Sequence, residues 1–117
     1  MGKSIEPKRG DVYLVKFDPT VGAEIKKTRP AVILQNDIAN KHSSLTIIAA
    51  ITSFDGGRLY PTDVHIPKGT GLDKESVILL NQVRTIDKTR LIKKLGVLDK
   101  ETMRRVDIAL IVSLALR

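Results

Sequence analysis

Polar and apolar positions alternate along residues 11–17, Asp-Val-Tyr-Leu-Val-Lys-Phe, in a segment rich in Val, Tyr and Phe, and predict a first strand. Asp18-Pro19-Thr20-Val21-Gly22 is turn chemistry and opens a loop that runs through Glu24 to Thr28. Residues 31–35 form a continuous apolar run closed by Gln35, the pattern of a strand buried on both faces. Residues 36–44 are polar and predict a connection or a short helical turn. Residues 45–53, Leu-Thr-Ile-Ile-Ala-Ala-Ile-Thr-Ser, predict a third strand, closed by two hydroxyl residues before the turn signal Asp55-Gly56-Gly57. A short strand over 62–66 ends at Pro67, residues 68–71 read as a loop, and 76–84 and 91–98 read as two further strands bridged by 85–88.

The period changes at Asp99. That residue is a good N-cap, Glu101 suits the positive first turn, and Met103, Val106, Leu110 and Leu114 recur at helical spacing, so a helix is expected over 99–116. Its second half is apolar nearly all round, which fits either a helix sunk into its own core or one that also meets a second subunit. Short strands at close spacing followed by one helix define a mainly β chain with α (α+β), folded as a small barrel or strongly twisted sheet.

Composition sharpens this picture. With 117 residues, 42% of them apolar, the chain suffices for one core, and residues 1–117 are read as a single domain. Lys and Arg number 20 against 13 acids, and the net charge of +7 points to a polyanionic partner. There is no cysteine, which excludes disulfides and thiolate metal sites; with two histidines, a metal site would need carboxylates. Residues 1–10 lack the apolar centre of a signal peptide, and the longest apolar stretches fall far short of the roughly 20 residues that span a bilayer, so no membrane association and a cytoplasmic location are expected.

No GxGxxG, GxxxxGK[ST], HExxH or GxSxG pattern is present. His65, in Asp-Val-His-Ile-Pro, reads as a surface residue, with Val64 and Ile66 facing the core. His42, in a polar loop, has the chemistry of a general base near neutral pH. The sharpest feature is Lys26-Lys27-Thr28-Arg29-Pro30, which places three cations at the entry of a buried strand. A residue before proline is driven to extended backbone, so Arg29 is held at the strand's start. Its best companion is Thr52-Ser53, since a buried strand that stops in hydroxyls presents them at a barrel mouth.

Four segments in order, Arg-Gly-Asp-Val-Tyr-Leu-Val-Lys-Phe (9–17), Val-Gly-Ala-Glu-Ile-Lys-Lys-Thr-Arg-Pro-Ala-Val-Ile-Leu-Gln-Asn-Asp (21–37), Ile-Ile-Ala-Ala-Ile-Thr-Ser (47–53) and residues 76–91, resemble the MazF/PemK family of toxin endoribonucleases. The resemblance implies an SH3-like barrel of the MazF/CcdB type with a C-terminal helix, working as a homodimer. It implies cleavage of single-stranded mRNA without metal or cofactor, and silencing by an acidic antitoxin protein. The family's catalytic arginine falls on Arg29 and its catalytic threonine on Thr52. Glu24, Asn36 and Gln82 match positions near the RNA, and Lys26, Lys27 and Ser53 flank the site. Where relatives often carry a glycine pair, this loop has Lys26-Lys27, which stiffens it and adds charge.

The chemistry is consistent with the residues. A ribose 2′-OH attacks its own phosphate once the phosphorus is held in line, so positioning and charge stabilisation are needed more than a protein nucleophile. Arg29, Glu24, His42 or no residue at all remain open as the base. Two other readings carry different expectations: a non-catalytic toxin of the CcdB type that poisons DNA gyrase, and a plain RNA-binding barrel. The low aromatic content, two Tyr, two Phe and no Trp, speaks against the last.

Overall fold

The computed structural model describes residues 6–17 and 27–116. Its strands are β1 (Asp11–Lys16), β2 (Thr28–Ile33), β3 (Leu45–Ser53), β4 (Asp63–Ile66), β5 (Ser76–Asp87) and β6 (Leu91–Val97), with α1 (Asp37–His42), α2 (Lys100–Leu114) and a single 3-10 turn at Lys88–Arg90. The strands form one antiparallel sheet in the order β4-β5-β3-β2-β1-β6. The ladder does not close: β4 and β6 are its two edges, so the expected barrel is an open, bent sheet. Bending follows from register breaks. Ala49 pairs with Val83 but Ala50 with Leu79, so β5 carries residues 80–82 as an insertion against β3, and the β1–β6 ladder shifts twice.

Period-two patterning places a core on each face of the central strands. Val12, Val32, Ala49 and Ile51 face one side, where Ile78 and Leu80 of β5 and Val106 and Ala109 of α2 cover them. Tyr13, Val15, Ala31, Ile33, Ile48 and Ala50 face the other, with Phe17, Ile86 and Leu91. Residues 31–33 are fully buried, as an uninterrupted apolar run requires.

Several bounds differ from the sequence reading. β2 begins at Thr28 rather than 31, because Thr28, Arg29 and Pro30 pair with Lys16, Val15 and Leu14 of β1. Pro30 is tolerated there because the ladder to β3 starts only at Ala31. β5 continues to Asp87, since Thr85, Ile86 and Asp87 pair with the start of β3. In α2 the Asp99 side chain caps the Thr102 N–H at 2.7 Å, and this backbone hydrogen bond holds the carboxyl below its ordinary pKa. Met103, Val106, Ala109 and Leu110 form the inward stripe. Leu114, expected within it, is exposed, as are Ile108 and Val112 on the outward face of the helix and Leu116 just past its end.

Polar anchors fix the loops. Buried Asn40 accepts hydrogen bonds from Thr46 (2.7 Å) and Gln35 (2.9 Å) and donates to the Gln35 carbonyl, tying α1 to the start of β3. Arg9 donates to the Leu34 carbonyl and pairs with Asp107, joining the end of β2 to α2.

Candidate active site

The site forms where β2 and β3 part. Their ladder runs from Ile33↔Ile48 to Ala31↔Ala50 and stops beside Pro30; continued by two residues, that register sets Arg29 across from Thr52. The backbone of Arg29 still pairs with Val15 on β1, so its Cα is held in the sheet while its side chain is exposed. A cleft of about 200 Å³ opens at this fork, and Arg29, Pro30, Ile51, Thr52 and Ser53 line one side of it.

Leu72, Asp73, Lys74 and Ser76 complete the lining as a second wall, joined to the first where Ser76 pairs with Ser53. That wall begins in a tight turn at 69–72, in which Gly69 and Leu72 exchange N–H···O bonds of 2.9 and 2.8 Å. Thr70 and Gly71 both have positive φ, +52° and +78°, which makes it a type I′ turn. For a β-branched residue such as Thr70 this backbone costs about 1–2 kcal/mol. Packing imposes it: a Cβ on Gly71 would lie 2.1 Å from the Leu95 carbonyl oxygen, and one on Gly96 would lie 2.7 Å from the Thr70 oxygen. The turn is therefore pressed directly onto β6.

The site's chemistry is two cations, Arg29 and Lys74, one carboxylate, Asp73, and the hydroxyls of Thr52, Ser53 and Ser76. Such a set suits an anion of phosphate size, with charge from the cations and hydrogen bonds from the Thr52 and Ser53 hydroxyls, the Ser76 hydroxyl being taken by the Lys74 carbonyl at 2.9 Å. Among the described residues no cluster of three His, Cys, Asp or Glu side chains is placed to hold a metal.

The structure thus brings Arg29, Thr52 and Ser53 together, and the other described candidates lie outside the cleft lining. Glu24 and Lys26 lie outside the described residues. Lys27 ends the loop, its carbonyl accepting the Phe17 N–H at 2.8 Å. The Asn36 side chain caps α1 through the Ala39 N–H at 2.8 Å. Gln82 lies in the inserted segment of β5, away from the cleft lining. His42 ends α1 before β3 begins, roughly 20 Å from Thr52 by strand rise. His65 packs edge-on against Phe54 with centroids 4.9 Å apart, its Nε2 3.5 Å from Glu75. Asp73, Lys74 and Ser76 are the lining residues that sequence reading missed; the nearby Gly-Thr-Gly turn signal was visible, but not the wall it builds.

Cations gather at the end of β1. The Arg84 guanidinium sits 5.5 Å from the Phe17 ring centroid, and Arg90 donates to the Lys16 carbonyl at 3.1 Å, so both brace the end of β1. Lys27 has φ +64°, the left-handed backbone that glycine favours. Lys27→Gly is therefore expected to be more stable than Lys27→Ala by about 1 kcal/mol in urea unfolding, because both remove the charge and only one relieves the backbone. Equal stabilities would show that this backbone relaxes without cost.

Fold and cleft together define the class: a small, basic, antiparallel β protein with a strand-end cleft suited to a phosphate. Comparison with known proteins narrows it. A family model described as the PemK-like, MazF-like toxin of type II toxin-antitoxin systems matches residues 8–114, and the chain belongs to that family. The chain is 50% identical over 110 residues to Endoribonuclease EndoA of Bacillus subtilis, spanning 93% of this chain and 95% of that protein. Its fold matches crystalline MazF of Deinococcus radiodurans with a TM-score of 0.82 and 26% identity, over 95% of this chain and 98% of the other. A MazE–MazF structure from the same organism matches with a TM-score of 0.77 and 25% identity, over 97% and 99%. These matches bear out the expected MazF-type fold, with the sheet left open.

Proposed function

We propose that this toxin is an endoribonuclease that cuts single-stranded mRNA at a short specific sequence without a metal. Attack of the ribose 2′-OH on the adjacent phosphorus leaves a 2′,3′-cyclic or 3′-phosphate on one product and a 5′-OH on the other. The observation that carries this reading is the convergence of Arg29 and Thr52, from different strands, on one phosphate-sized cleft. The Bacillus relative, named an endoribonuclease, supports the activity.

In this mechanism the planar fork of Arg29 holds two phosphate oxygens and stays charged as negative charge accumulates on them. Thr52 donates a hydroxyl hydrogen bond to the same oxygens, and Ser53 serves RNA binding beside it. Lys27, Asn36 and Gln82 extend the RNA track beyond the cleft, and Glu24 and Lys26 also serve RNA binding. Because Arg29 and Thr52 are anchored in paired strands, little reorganisation accompanies the reaction.

The partners follow from the surface. An acidic antitoxin segment docks over the basic groove in competition with RNA, a reading supported by the MazE–MazF assembly of the Deinococcus relative. A homodimer covers the exposed apolar side chains of α2, Ile108, Val112 and Leu114. Among the described residues no helix is long and apolar enough to cross a membrane, and the cytoplasm, where mRNA is met, is the proposed location. Incubating the protein with a long RNA in excess EDTA is expected to yield discrete fragments. Intact RNA would sink the reading and favour the gyrase poison.

A further inference from the structure

The proposed site has an unfilled role. Internal attack breaks the bond between phosphorus and the 5′-oxygen, and that oxygen departs as an alkoxide unless a proton reaches it. Arginine cannot supply one, since its guanidinium does not deprotonate in proteins. The hydroxyls of Thr52, Ser53 and Ser76 are far too weak as acids, and an ionised carboxylate such as Asp73 only accepts. Among the described residues that line the cleft, the remaining proton-bearing group is the Lys74 ammonium.

We infer that Lys74 is a catalytic residue that protonates the departing 5′-oxygen. The inference rests on attack by the 2′-OH as proposed above. As the 2′-oxygen bonds to phosphorus, its proton passes to water; as the P–O5′ bond breaks, its electron pair takes a proton from Lys74 Nζ. The neutral amine regains a proton from solvent, so the cycle balances without a further reagent.

The fold holds Lys74 for this task. Its side chain is exposed on the lining of the cleft that Arg29 also lines, while its backbone is fixed on both sides. Upstream, buried Leu72 closes the type I′ turn that Gly71 and Gly96 press onto β6. Downstream, the Ser76 hydroxyl donates to the Lys74 carbonyl at 2.9 Å. The Glu75 carbonyl accepts the Phe54 N–H at 2.9 Å, which ties this wall to the chain leaving Thr52 and Ser53. Accepting strain at Thr70 to fix a loop tip is explained if the residues that follow must be aimed.

The test uses two versions of one RNA oligonucleotide that carries the protein's own cleavage sequence, found by sequencing RNA ends. One has oxygen at the scissile 5′ position and the other sulfur. A thiolate leaves without a proton, because thiols are far stronger acids than alcohols. Under single-turnover conditions Lys74→Ala is expected to cut the oxygen substrate about 10²-fold or more slowly than wild type. It should cut the sulfur substrate at close to the wild-type rate. Lys74→Arg, charged but unable to release a proton, should stay slow on oxygen and recover on sulfur. An equal loss on both substrates, no loss on either, or a fully active Lys74→Arg would overturn the inference. If instead wild type cleaves RNA whose attacking 2′-OH has been removed, it is the internal-attack reading that fails. Since Lys74 is exposed, both variants should unfold at the wild-type temperature, which keeps a rate loss attributable to chemistry.

Discussion

Arg29→Lys is expected to lose most of the cleavage activity while RNA binding falls much less. The substitution keeps a positive charge at the start of β2 and removes the planar fork that takes two phosphate oxygens at once. If the fork matters most as charge builds on those oxygens, the loss appears in the rate of the chemical step, about 10²-fold or more, as for removal of one preorganised donor from a transition state. Affinity depends instead on phosphates along the whole RNA track, which the substituted ammonium would still help to neutralise. Backbone effects are small, because position 29 is exposed and its strand pairing with Val15 involves main chain only. Thr52→Val should act in the same direction more mildly, deleting one hydroxyl at nearly constant volume. Single-turnover rates measured beside equilibrium binding separate the two quantities; a fully active Arg29→Lys enzyme would show that position 29 supplies a point charge and nothing more.

The second large effect concerns the substrate. A single 2′-deoxy nucleotide 5′ of the scissile phosphate is expected to abolish cutting there, because it removes the attacking atom while leaving charge, stacking and phosphate spacing nearly intact. Binding should be almost unchanged, so the modified RNA becomes a competitive inhibitor of cleavage of the natural one. The contrast with the arginine variant is informative: one removes the nucleophile and the other the charge clamp, and both spare affinity. Efficient cleavage of the 2′-deoxy RNA would require water or a protein group as nucleophile and would end the internal-attack reading.

What sequence alone revealed divides along a physical line. Arg29 was legible because a local rule, the steric effect of Pro30, places it at a strand entry, and Thr52 because a buried run ends in hydroxyls. Their meeting depends on β2 and β3 being neighbours with a ladder that stops at Ala31↔Ala50, which the family resemblance implied and spacing could not. Lys74 and Asp73 were invisible because a nonlocal contact brings them to the cleft: the 69–72 turn rests on β6, far along the chain, where Gly71 and Gly96 let the two backbones touch. The register break that leaves the sheet open, one of the two expected forms, was likewise hidden, since the insertion at 80–82 sits inside a run, Val-Ile-Leu-Leu-Asn-Gln-Val, that reads as ordinary strand. His42 looked eligible as a base until β3 placed it at the far end from Thr52. Leu114 kept helical spacing yet faces out, because periodicity defines a stripe but not where its cover ends.

The most direct measurement is the chemistry of the ends that wild-type protein makes on RNA in EDTA. Internal attack within the Arg29–Thr52 cleft predicts fragments whose 3′ ends carry a 2′,3′-cyclic or 3′-phosphate and whose 5′ ends are free hydroxyls, accepting label from polynucleotide kinase without prior phosphatase treatment. Fragments ending in 3′-hydroxyls and 5′-phosphates would contradict it, because that bond scission requires an external nucleophile.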